Sequence, residues 1–122
     1  MRFHPLTEDN TDAAALEGEY AAARAIGKIH MGELRLYFKA GLRTYYIPYH
    51  DVHRCFRRIL EVPAKLCCGK GDFEIENLVI CGEDDRELAQ IQLPGKKAAQ
   101  VVMDELKQRI PEAQFGRPTA NI

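Results

Sequence analysis

The run His50-x-x-His53-x-Cys55 brings two imidazoles and a thiol close together, with Cys67 and Cys68 downstream. These are ligand types that suit zinc, which takes a tetrahedral set of nitrogen and sulfur donors in structural sites. The spacing argues the other way. No cysteine pair has C-x-x-C spacing, and the adjacent Cys67 and Cys68 would project to opposite faces of a strand. The competing reading places Cys55, Cys67 and Cys81 in small core positions and leaves the histidines exposed beside a turn. His50, His53 and Cys55 are the candidate ligands, and the expectation is that the chain holds no metal and no cofactor.

A second group is basic. Arg54, Arg57 and Arg58, with Arg43, Lys65 and Lys70 near them in the pattern, could meet a phosphate or an acidic peptide through bidentate guanidinium contacts. Against this stands an ordinary solvated face, balanced by Glu61, Asp72 and Glu74. Tyr37, Tyr45, Tyr46 and Tyr49 could add an aromatic surface, since tyrosine is enriched at interfaces, or could be half-buried on sheet faces. Taken together, Arg43, Tyr46, Tyr49, Arg54, Arg57 and Arg58 are the candidate ligand- or partner-binding residues. No phosphate loop, G-x-S-x-G, H-E-x-x-H or G-x-G-x-x-G occurs, Gly69-Lys70-Gly71 reads as a turn, and Asp84 and Asp85 fall at a hairpin tip. The expectation is a protein that is not an enzyme.

Composition narrows the partner. With 17 basic against 18 acidic residues in 122, the net charge is -1, so no overall field draws the chain onto nucleic acid or anionic lipid. A chain of this length, 46% hydrophobic and 29% charged, has the make-up of one globular domain without staples. No apolar run approaches the ~20 residues needed to cross a bilayer. The start, MRFHPLTEDN, lacks the apolar centre of a signal peptide, so the expected location is the cytoplasm, where the four cysteines stay reduced.

The elements that must position these residues follow from period and punctuation. Residues 1–10 have no period and read as an arm. TDAAALEGEYAAARA reads as a helix capped by Thr11, with Leu16, Tyr20 and Ala23 on one face and Gly18 weakening it. A short strand covers residues 26–31. In GELRLYF, Leu34, Leu36 and Phe38 point to a buried face and Arg35, Tyr37 and Lys39 to a wet one. Ala40-Gly41 reverses the chain, residues 43–47 pair back, and Pro48 ends that strand.

Residues 51–62 satisfy two rules at once. Val52, Cys55, Phe56, Ile59 and Leu60 have helical spacing, yet β-branched and aromatic residues between strands favour a strand from about Arg54. Further strands are expected at 64–68, 73–81 and 86–93, with turns at 69–72 and 82–85. A helix at 96–110 carries the stripe Ala99, Val102, Met103, Leu106 and Ile110, and Pro111 stops it. The tail, 112–122, reads as a strap without regular structure.

A strand meander closed by one amphipathic helix, carried by GELRLYF, YYIPYHDV and KKAAQVVMDELKQRI, resembles the pleckstrin-homology-like superfold, in particular small bacterial members and the related GRAM domains. The resemblance implies a mainly β fold with α, a PH-like barrel of about seven antiparallel strands capped by the C-terminal helix. Here an N-terminal helix is added, and one domain covers 11–111 with its core at 26–110. It also implies a binding domain for a protein or peptide partner, through an exposed sheet edge at a residue such as Thr44, and possible self-association. Two departures matter. The chain has no tryptophan for the C-terminal helix, and its first loop offers only Lys28, His30 and Arg35. Lipid-binding residues therefore do not carry over, and membrane contact is the less favoured alternative.

Overall fold

The computed structural model describes residues 2–63 and 72–117. Among these residues nine strands and two α-helices follow one another: β1 Phe3–Pro5, α1 Ala13–Ala22, β2 Arg24–Ile26, β3 Ile29–Met31, β4 Arg35–Ala40, β5 Arg43–Pro48, β6 Arg54–Pro63, β7 Asp72–Cys81, β8 Glu87–Gln92, α2 Lys96–Arg109 and β9 Gln114–Phe115. They build two sheets, ordered β1-β5-β4-β3-β2 and β8-β7-β6-β9. The mainly β class with helices holds. Among the described residues the strands form two open sheets, not a closed barrel.

The β4–β5 hairpin forms where alternation and turn chemistry agree. Gly41 takes φ +62 between Ala40 and Arg43, a region most side chains avoid. Leu36, Phe38 and Ile47 face a common core with Leu78, Ile80 and Ile91 of the second sheet. α2 fills the space between with Ala99, Val102, Met103 and Leu106. Its stripe recurs at helical spacing, so one face is buried along its whole length.

The second face of the first sheet is a correction. Tyr37 is 0% exposed and Arg35 half-buried, because α1 lies across them; only Lys39 of the expected wet set is exposed. Leu16, Tyr37 and Tyr46 form a small cluster of their own, edged by Phe3 and Tyr20. Leu34, expected to be buried, precedes β4 and is exposed. The N-cap of α1 is Asp12 rather than Thr11, whose Oγ1 instead accepts a hydrogen bond from Arg35 Nη2 at 3.1 Å.

The two segments without period also differ from expectation. The supposed arm supplies β1, which pairs in parallel with β5, and the tail supplies β9, which pairs in parallel with β6 at Arg54 and Cys55. Thr44 is consequently interior: it faces Phe3 on one side and Lys39 on the other, and it is buried. The strand expected at 26–31 is two strands turning at Gly27-Lys28. The strand expected at 64–68 and most of the turn at 69–72 lie outside the described residues.

Residues from Arg54 onward are strand, not helix. β6 has both faces covered near its start: Cys55 enters the main core, while Phe56 joins Val79 and Cys81 in a cluster on the opposite face. A strand buried on both sides loses strict alternation, which is how its apolar residues came to imitate helical spacing.

Candidate interaction edge

The three arginines of β6 lie close to carboxylates. Arg54 Nε meets Asp85 at 2.8 Å, Arg57 Nη2 meets Glu76 at 2.7 Å and Arg58 Nη2 meets Glu87 at 2.9 Å. Arg54 also donates to the Gly116 carbonyl and to the Gln114 side chain, and Arg58 to Gln90. The Arg58 guanidinium lies 5.6 Å over the ring of Phe56, a member of the outer cluster. An anion would have to displace these carboxylates, so the patch offers little free positive charge.

Arg43 stands apart at the exposed end of the β4–β5 hairpin. Tyr46 and Tyr49 are buried. Tyr46 donates to Asp9 Oδ2 at 2.6 Å, and burial followed by this bond pushes its hydroxyl up to about 12. Tyr49 donates to the Gly32 carbonyl at 2.7 Å, and Arg109 donates to the same oxygen while lying over the tyrosine ring. Both rings are largely buried, with their hydroxyls bonded within the fold.

Cys55 and the two candidate histidines lie in different surroundings. Cys55 is buried in the core, and burial, with Cys81 nearby, pushes its thiol up to about 12, whereas His50 and His53 are exposed. Among the described residues no group of three or more histidine, cysteine, aspartate or glutamate side chains gathers to hold a metal. Cys67 and Cys68 lie outside those residues.

Among the described residues, one side of β6 beyond β9 has no strand beside it. Hydrogen bonds from the Gln114 amide to the His53 carbonyl and from the Gly116 amide to the Cys55 carbonyl hold β9 against its first residues. Main-chain groups alternate along a strand. Because Cys55 turns toward β9, Arg57, Ile59 and Glu61 also turn away from β7, while the even-numbered residues bond within the hairpin. The register of β7 agrees: the Glu76 carbonyl accepts from Leu93 on the β8 side, and Glu76 sits opposite Ile59.

The described part of the tail, ending at residue 117, pairs only with the start of β6. The Gly116 carbonyl, the next acceptor in a continued ladder, takes Arg54 Nη1 at 2.9 Å, and Gly116 itself turns away at φ +101. At the other end Pro63 has no N–H to offer. Between them Arg57, Ile59 and Glu61 face no strand among the described residues. Ile59 and Leu60, 39% and 40% exposed, lie in the same stretch.

Residue types alone did not reveal this edge. The sequence carried one signal for it, the short run Arg57-Arg58-Ile59-Leu60-Glu61 with apolar residues between opposite charges. No helix among the described residues is long and apolar enough to cross a membrane. No protein-family model, curated protein or solved structure matches the chain.

Proposed function

We propose that the chain is a non-catalytic pleckstrin-homology-like domain that binds a protein or peptide by adding a strand to β6. The main chain at Arg57, Ile59 and Glu61, which faces no strand among the described residues, carries this reading. An exposed strand with free donors and acceptors is a template for another extended chain, and Ile59 and Leu60 supply apolar contact beside it. The order of elements supports the family resemblance: a meander in two antiparallel layers comes first, and an amphipathic helix then enters the space between them. The parallel strands β1 and β9 are additions to that plan.

The test compares capture of partners from the native cell by the wild type and by Ile59→Pro. The Ile59 amide faces away from β7, so proline removes an outward donor and leaves the hairpin ladder intact. Loss of a captured partner in the variant is the expected result. Equal capture by both proteins would remove strand addition at this edge.

A further inference from the structure

Resting on the reading of β6 as a recognition edge, we infer that its occupant is a second copy of this chain, paired antiparallel with β6 about a two-fold axis at Ile59. Two independent features meet at that residue.

The first is the window. Among the described residues the uncovered edge runs from Gly116 at one end to Pro63 at the other, and Ile59 is the middle of the outward-facing residues Arg57, Ile59 and Glu61. With the axis there, outward groups of one copy oppose outward groups of the other. Ile59 faces Ile59, and Arg57 faces Glu61 on both sides of the axis, giving about six main-chain hydrogen bonds.

The second is charge. A two-fold axis at Arg57 would oppose two arginines, and one at Glu61 would oppose two glutamates, both unfavourable. The axis at Ile59 sets each Arg57 against a Glu61. Glu76 occupies Arg57 Nε and Nη2, and Nη1 is the donor left for Glu61 of the second copy. Glu61 in turn lies opposite Glu74 within its own hairpin, and no salt bridge ties either to a described residue. A guanidinium arriving from across the axis relieves that repulsion. Arg58 and Leu60 then oppose each other in the intervening positions, where side chains come closest.

A pairing of this size is small for an interface, so a reversible monomer–dimer equilibrium is expected. Sedimentation velocity over a concentration series tests it on the wild type, Ile59→Pro and Glu61→Lys. Lysine at position 61 would face Arg57 of the second copy and should weaken the dimer about tenfold or more. The same lysine improves the hairpin by facing Glu74, so thermal stability should hold or rise while association falls. A merely misfolded variant would not show that combination. Register is checked by mixing Arg58→Cys and Leu60→Cys chains, each also carrying serine at positions 67 and 68. Mixed disulfides should outrun those formed by either variant alone.

A wild type that stays monomeric throughout overturns self-pairing. Capture by Ile59→Pro then decides separately whether the edge serves another protein. A dimer that survives both variants, or cysteines that link without regard to register, overturns it as well.

Discussion

Glu61 stands directly opposite Glu74 in the β6–β7 ladder, and both side chains are exposed. Like charges facing each other across an antiparallel pair are destabilising by roughly 0.2–1 kcal/mol. Glu74→Thr replaces one of them with a good strand former. The expected result is a higher urea midpoint with an unchanged slope. An unchanged or lower midpoint would mean that the two carboxylates are not in conflict.

Glu19 anchors α1 to the first sheet. Its carboxylate accepts from Tyr37 at 2.5 Å, from the Leu34 amide at 2.6 Å and from Arg35 at 2.9 Å. Burial works to raise its pKa, but the bonds from Tyr37, Leu34 and Arg35 outweigh it and hold it below the ordinary carboxylate value. Burial likewise works to raise Asp9, and its bonds with Tyr46 and Thr11 outweigh it in the same direction. For a carboxyl depressed in the folded state, the stabilisation is complete above the unfolded value. It is lost as the pH falls through the folded one. Stability should therefore decline in the acid range, below a pH of about 4. Glu19→Gln should cost about 1.5–3 kcal/mol at neutral pH and flatten that acid limb. A variant with the full acid limb would contradict the assignment to Glu19.

Gly18 lies within α1, and a methyl group added there meets nothing within 4 Å. A glycine inside a helix costs roughly 0.5–1 kcal/mol relative to alanine. Gly18→Ala should raise the melting temperature by a few degrees without altering association through β6. Loss of stability would mean that α1 is not the helix described.

Much of the architecture was legible because local signals agreed. Alternation in Leu36, Tyr37 and Phe38, the positive φ that Gly41 permits, and the stripe from Ala99 to Leu106 each name one element. β1 and β9 were not legible. Each is a few residues long, has no period, and exists only because a distant strand offers its edge. Tyr37 looked wet for a related reason, since what covers it is a helix some twenty residues earlier, held by Glu19. The arginines of β6 stand out in the sequence by residue type alone. Their neutralisation by Glu76, Glu87 and Asp85 depends on strand register, which composition does not encode. Edge status is also a property of the whole sheet, so Thr44 looked open and Ile59 did not.

The free edge of β6 is tested most directly by amide hydrogen exchange, residue by residue, as protein concentration is raised. In dilute solution the amides of Arg57, Ile59 and Glu61 should exchange quickly while those of Arg58 and Leu60, bonded within the hairpin, exchange slowly. At high concentration the outward amides should gain protection in step with association. Outward amides already protected in the dilute monomer, or still unprotected in an associated state, would contradict the account.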